Sequence, residues 1–247
     1  MTEDSLESTW GLNYMANFHL LSILSPALRA QPPDRDVRII IGTCSSYLGG
    51  KLPESTMPAK SAKKGKNNAP ETMQFTPASV YATSKLALMT FALAFQKHLS
   101  SYDRPDKKPM NSRVILVDPG WTRTPGMRRF LSFGSLWGLF LYLIMWPLWW
   151  LLLKSADQGA QTFLYAAMEA TYGVGEGGWL LKECRKIGFL RPEVEDEVVQ
   201  KKLWEVSEQT IQKLEKEGAK RRAAEKKTEG KTAGKQGNGA AKQTKGK

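Results

Sequence analysis

Val37-Arg38-Ile39-Ile40-Ile41-Gly42-Thr43 and Arg113-Val114-Ile115-Leu116-Val117 are two short runs rich in β-branched and aliphatic residues. Apolar runs of this length read as strands buried on both faces. Between them a helical pattern opens at Pro77, where the missing N–H of proline is harmless, and reaches about Leu99. Gly177-Gly178-Trp179-Leu180-Leu181 is a weaker third strand. Strand, helix, strand, helix, strand with buried apolar strands indicates an α/β fold with a parallel sheet. Ahead of the first strand, residues 6 to 30 read as a helix. Leu12, Met15, Phe18, Leu20 and Leu24 recur at helical spacing, and Pro32-Pro33 end it.

Polar residues cluster where these strands end. Ser45-Ser46 follows the first strand and Pro119-Gly120 follows the second, with Thr124 four residues beyond the glycine. In open α/β sheets that carboxyl edge is where ligands bind. Tyr81-Ala82-Thr83-Ser84-Lys85 places a phenol and an ammonium on one helix face, one turn apart. A tyrosine that exchanges a proton near neutral pH needs its phenolate stabilised, and a neighbouring ammonium supplies that field. The YxxxK spacing alone is weak, since a surface Tyr–Lys pair gives the same pattern.

Taken in order, these motifs resemble the catalytic part of the short-chain dehydrogenase/reductase family. Asn13-Tyr14-Met15-Ala16-Asn17-Phe18-His19-Leu20 resembles the family's NxxGxFxL helix, with Ala16 in place of the usual glycine. Ser46, three residues before Gly49, matches the family serine better than Ser45 does. The match runs from about Asn13 to Leu181. The resemblance implies that Tyr81 passes the substrate proton and that Lys85 lowers the tyrosine pKa and bonds the nicotinamide ribose. It further implies that Ser46 orients the substrate oxygen, that Asn13 holds a water in the relay, and that Pro119, Gly120 and Thr124 border the nicotinamide. The cofactor would be NAD or NADP and the substrate an apolar alcohol or carbonyl; the hydride chemistry belongs to the cofactor. Tyr81 lies farther from Ser46 than in compact members, and the Lys-rich insertion at 51–76 accounts for the excess. A long surface loop between adjacent element ends costs little.

A complete family member also has a first strand, a Gly-rich turn and a helix that takes the pyrophosphate. No GxxxGxG precedes Asn13. Gly173-Val174-Gly175-Glu176-Gly177-Gly178 precedes a strand instead of following one, so it is rejected as a phosphate loop. The chain is therefore expected to carry the C-terminal half of a Rossmann-like doubly wound sheet. The dinucleotide-binding half is expected to be missing, and the chain by itself is not expected to bind dinucleotide appreciably. The residues that choose NAD over NADP follow the second strand of a complete member, so both stay open. The alternative to an oxidoreductase is a catalytically silent membrane-binding remnant.

Among 247 residues the net charge is +12, and Lys213 to Lys247 supplies +8 of it with 12 basic and 4 acidic residues. Residues 191–227 read as a charged helix whose narrow stripe of Val199, Leu203, Val206 and Leu214 could dock on the domain. From Thr228 the Lys/Gly-rich tail has no aromatic or branched aliphatic residue and is expected to be disordered. Specific nucleic-acid binding is not expected, because no aromatic interleaves the tail lysines. Cys44 and Cys184 lie far apart without metal spacing, which indicates a reducing compartment and no metal site. His19 and His98 read as ordinary helix residues. The sequence sets no oligomeric state.

Phe130 to Leu153 is a stretch of 24 uncharged residues that holds Trp137, Trp146, Trp149 and Trp150. Its length and hydropathy reach the threshold for a transmembrane helix. Pro147 interrupts it, however, and strands on both sides must join one sheet. A re-entrant or interfacial anchor at 130–153 is therefore favoured over a simple span, with Arg123, Arg128 and Arg129 at the headgroups. The run from Arg128 to Trp137, with Gln158-Gly159-Ala160-Gln161, resembles a fungal subgroup akin to light-induced alcohol dehydrogenases and lipid-droplet-associated oxidoreductases. That resemblance implies the cytosolic face of the endoplasmic reticulum or a lipid droplet.

Overall fold

The structure, a computed structural model, describes residues 6–56 and 77–240, with backbone alone at 54, 77–78 and 224–240. Most of the expected insertion at 51–76 lies outside the described residues. The chain begins with a short helix α1 (Ser8–Trp10), a π-helical turn (Gly11–Met15) and α2 (Ala16–Arg29). Strand β1 (Val37–Gly42) leads through a 3-10 turn (Ser45–Gly49), and α3 (Pro77–Ser100) leads to β2 (Ser112–Asp118). Three short helices come next: α4 (Pro125–Leu131), α5 (Leu136–Ile144) and α6 (Trp146–Leu152). Then come α7 (Ala156–Met168), β3 (Trp179–Lys182), β4 (Arg185–Ile187) and α8 (Glu197–Ala240).

The strand order is β1-β2-β3-β4. β1 pairs with β2 and β2 with β3 in parallel, while β3 and β4 form an antiparallel hairpin. The sheet is thus mixed, not wholly parallel, because β4, which the sequence pattern does not announce, pairs antiparallel with β3. The strand pleat sends alternate β2 side chains to opposite faces. Val114 and Leu116 join Leu180 in one core with Trp10, Tyr14, Phe18, Phe91, Phe95, Val199 and Leu203. Ile115 and Val117 join Leu181 in a second core with Ala166 and Tyr172. Helices therefore cover both faces, with α2, α3 and α8 on one and α7 on the other.

β2 is buried along its whole length, but β1 is only half-buried apart from Ile41. The sequence pattern predicts full burial for both strands. β1 is an edge of the sheet among the described strands, so one flank has no neighbour.

The first helix also departs from its expected face. Met15 and Phe18 are buried, but Leu12, Leu20 and Leu24 are exposed. A π-helical turn adds a residue to the repeat and rotates the helix beyond it. Trp10, Tyr14, Phe18 and Leu21 carry the burial instead. Tyr14 Oη shares a 2.6 Å hydrogen bond with Ser207 Oγ on α8. Trp204, the neighbour of Leu203, packs against Phe18, Phe91 and His98. The helical backbone of α8 runs to Ala240, past the boundary expected at 227. The expectation of disorder rested on burial alone, whereas an existing helix propagates one hydrogen bond at a time. Residues 241–247 lie outside the described residues.

The apolar stretch is not one helix: it holds the end of α4, then α5 and α6. Phe133 and Gly134 take positive φ (50° and 66°), Ser135 caps α5, and Pro147 sits in the first turn of α6. No helix among the described residues is long and apolar enough to cross a membrane. This corrects the transmembrane helix that length and hydropathy alone suggest, and leaves the re-entrant or interfacial anchor favoured at 130–153 untouched.

Candidate active site

The site forms where β1, β2 and β3 end. The 3-10 turn after β1 carries Ser45 and Ser46, and Gly50 closes it against α3. A Cβ at Gly50 would stand 2.6 Å from the Ala82 carbonyl oxygen and 2.9 Å from its carbon. Backbone cannot yield cheaply, so Gly50→Ala is expected to cost roughly 1–3 kcal/mol as an overpacked contact. Chemical denaturation would read it; an unchanged midpoint would contradict the close approach. Arg191 donates to the Leu48 and Gly50 carbonyls (2.6 and 3.1 Å), and the Leu190 N–H donates to Tyr47 Oη (3.2 Å). The turn is therefore held from both sides.

Tyr81 and Lys85 lie in the first half of α3. Tyr81 is 44% exposed. Cys44 Sγ donates to Tyr81 Oη at 3.5 Å and lies 2.7 Å from Ser46 Oγ, so one thiol links the two hydroxyls. Lys85 Nζ donates to the Gly42 carbonyl at 3.0 Å and lies 5.9 Å from the centre of the Tyr81 ring. Burial lowers the Lys85 pKa, while Cys44 acts in the opposite sense. The Tyr81 pKa is pushed well up, by burial first, then by Cys44 and by the Asp118 charge. The resemblance implied a tyrosine acidified by Lys85. In this structure the Lys85 ammonium bonds the Gly42 carbonyl, and burial, Cys44 and Asp118 are the influences that raise the Tyr81 pKa.

Asn13 falls in the π-helical turn, a distortion that often marks functional positions. Its Nδ2 donates to Ser84 Oγ at 3.1 Å, and Ser84 Oγ donates to the Tyr81 carbonyl at 2.8 Å. Asn13 is thereby tied to the backbone of the Tyr81 turn. Pro119 and Gly120 come after β2 at the same edge. Gly120 takes φ +77°, a conformation that L side chains rarely adopt. Thr124 caps α4, accepting from the Met127 N–H at 3.3 Å, and is exposed. Ser46, Tyr81 and Lys85 thus share one locality, Asn13 buttresses it from behind, and Pro119–Gly120 flanks it on the neighbouring strand.

Sequence reading passed over four residues here. Cys44 joins Ser46 to Tyr81. Asp118 is only 4% exposed; its Oδ2 accepts from Ser45 Oγ (2.5 Å) and its Oδ1 from the Gly120 N–H (2.9 Å). Lys182 Nζ donates to Ser45 Oγ (2.9 Å) and pairs with Asp118 Oδ2 (3.6 Å). Arg191 pins the turn. Asp118 had a visible signal, since it ends β2 immediately before Pro119. Cys44 adjoins Ser45-Ser46 in the sequence, while Lys182 and Arg191 are joined to the site only by the fold.

The excursion from 123 to 153 leaves and returns at one point. Thr122 and Lys154 form a parallel bridge, with Lys154 N–H to Trp121 O and Arg123 N–H to Lys154 O both at 2.9 Å. Lys154 Nζ also pairs with Glu183 in the β3–β4 turn at 2.8 Å. Tyr142 stacks on Trp149, which joins α5 to α6. Phe133, Leu136, Trp137, Leu141, Trp150 and Leu151 are left more than half exposed.

A parallel-rich sheet of this topology, with Ser46, Tyr81 and Lys85 at its carboxyl edge, is an α/β arrangement compatible with a Rossmann-like fold. No family model matches the chain. It is 38% identical over 221 residues to the uncharacterized oxidoreductase pbr1 of Schizosaccharomyces pombe, covering 90% of this chain and 57% of that protein. It is 32% identical over 208 residues to the polyprenol dehydrogenase of Mus musculus, covering 82% and 53%. A crystal structure of an uncharacterized protein from Mycobacterium paratuberculosis superposes with TM-score 0.54 at 20% identity, over 86% of this chain and 61% of that one, a likeness of fold. With the ordered motifs and these relatives, the chain belongs to the short-chain dehydrogenase/reductase family. It spans about half the length of the curated relatives it matches.

Proposed function

We propose that this chain supplies the substrate-and-proton half of a nicotinamide-dependent oxidoreductase that acts on an apolar alcohol or carbonyl at a membrane surface. The observation that carries the reading is the convergence of Ser46 and Tyr81 on Cys44, with Lys85 one turn along α3. Tyr81 Oη gives or takes the proton of the substrate oxygen, and Ser46 Oγ hydrogen-bonds that oxygen. The Tyr81 hydroxyl carries a proton at neutral pH, as an ordinary phenol does, and can deliver it to a carbonyl oxygen.

The residues present fit the nicotinamide end of a dinucleotide. Gly120 provides a turn without a side chain, and Lys85 provides a half-buried ammonium able to hydrogen-bond a ribose. Pro119 and Thr124 border the same edge. When bound, the nicotinamide supplies or accepts the hydride. Among the described residues no strand and Gly-rich turn precede the Asn13 turn, so this fit extends to the nicotinamide end alone.

The substrate class is inferred from the surface beside the site. The exposed apolar and tryptophan side chains of α5 and α6, with Arg123 stacked on Trp150 at 5.7 Å, match an interfacial anchor. Because residues 121 and 154 are hydrogen-bonded neighbours, both flanks of the excursion stay on one side. The endoplasmic reticulum or a lipid droplet offers such a one-leaflet surface. The polyprenol dehydrogenase relative carries a lipid alcohol in its name, which supports an apolar substrate. The test uses a polypeptide of the relatives' full length that contains this sequence, with alcohols of rising chain length presented on vesicles. Nicotinamide absorbance should report turnover that climbs with chain length. Turnover confined to short, water-soluble alcohols would overturn the substrate class.

A further inference from the structure

We propose that Asp118 and Lys182 are positioning residues: a buried carboxylate and its ammonium clamp the turn that carries Ser46 to the turn that carries Pro119 and Gly120. What the clamped turns do rests on the function proposed above; the clamp itself does not. Ser45 lies just past β1, Asp118 ends β2 and Lys182 ends β3, so one cluster gathers three strand ends. Asp118 accepts from Ser45 Oγ at 2.5 Å on one oxygen and from the Gly120 N–H at 2.9 Å on the other. Lys182 Nζ closes the ring, 2.9 Å from Ser45 Oγ and 3.6 Å from Asp118 Oδ2.

A buried carboxylate is tolerated only when it is paired and hydrogen-bonded, and each of these donors sits on a different segment. Ser45 adjoins Ser46, so its bond fixes the direction in which the Ser46 hydroxyl leaves the turn. The Gly120 N–H is fixed by the same carboxylate, which holds a glycine at φ +77° in one conformation. The carboxylate thereby sets the distance between the serine that meets the substrate oxygen and the turn that borders the nicotinamide. An error of an ångström in such a distance costs rate heavily.

The experiment is amide hydrogen exchange on the purified chain, read by NMR at three positions. Gly120 reports the turn after β2. Tyr47, whose N–H donates to the Cys44 carbonyl at 3.3 Å, reports the Ser46 turn. Val114, whose N–H donates to Gln96 Oε1 at 2.6 Å, reports the core. Asp118→Ala should speed exchange at Gly120 and Tyr47 by about tenfold or more and leave Val114 unchanged. Asp118→Asn keeps a carbonyl oxygen for Gly120 and should restore most of the protection there. Lys182→Met, at a partly exposed side chain, should loosen the same two amides and carries the test if Asp118→Ala does not fold. Unchanged exchange at Gly120 and Tyr47, or acceleration equal to that of Val114, would overturn the clamp. No catalytic rate is read, so failure of the proposed oxidoreductase activity would leave this result standing.

Discussion

Tyr81→Phe is expected to lower turnover by roughly 10²–10⁴-fold, the usual contribution of a positioned acid or base. The setting is a polypeptide of the relatives' full length. Only one oxygen is lost, the one joined to Cys44 Sγ at 3.5 Å. The ring packs as before, and Lys85 keeps its bond to the Gly42 carbonyl. Cofactor affinity should therefore change little while kcat falls, the pattern of an interaction made in the transition state. Steady-state kinetics with a parallel cofactor titration measures both. A variant that retained most of its kcat would show that Tyr81 is not the acid/base.

The second large effect concerns the apolar excursion. Replacing residues 130–153 with a short Gly/Ser linker should move the protein from the membrane fraction to the supernatant. Trp121 and Arg123 already hydrogen-bond Lys154, so a linker has only to return from the end of α4 to that point and need not strain the sheet. Burial of apolar surface contributes about 25 cal/mol per Å². Seating even ~200 Å² of the platform would thus contribute about 5 kcal/mol, more than a thousandfold in partitioning. Persistent sedimentation with membranes would mean that another surface holds the protein. A glycosylation acceptor placed after Lys227 tests topology in the same cells. It should stay unmodified, and its glycosylation would put the tail in the lumen and make the excursion a span.

The parts of the fold with strong local signals were legible in the sequence. β1 and β2 declare themselves by short runs rich in β-branched and aliphatic residues, and α3 by Pro77 and its long apolar pattern. The site residues were legible as types at spacings: Ser46 past one strand, Tyr81 and Lys85 a turn apart, Pro119–Gly120 past the next. What they touch was not. Asp118, Lys182 and Arg191 are distant in sequence from the turn they hold, and no periodicity joins them to it.

Other departures have specific causes. The π-helical turn at Gly11–Met15 rotated the face of α2, because a helix wheel assumes a uniform repeat. The β3–β4 hairpin turns through Glu183 and Cys184 at φ 53° and 57°, with none of the Asn-Gly or Asp-Gly signals that announce such turns. The apolar run reaches transmembrane length because hydropathy counts residues and not backbone breaks; Pro147 was a legible break, the turn at Phe133–Ser135 was not. Phe133, Gly134, Ser135 and Pro147 divide it. Lys85 is one turn from Tyr81 as expected; that its ammonium bonds the Gly42 carbonyl was not legible from spacing.

The most direct measurement tracks the hydride itself. An apolar primary alcohol deuterated at its carbinol carbon is presented on vesicles, with oxidised NAD or NADP, to a full-length polypeptide that contains this sequence. Mass spectrometry of the recovered nicotinamide should show deuterium incorporated in step with aldehyde formation, and almost none with Tyr81→Phe. Aldehyde formed without label in the nicotinamide, or label transferred equally well by the Tyr81→Phe variant, would contradict the assignment of this site.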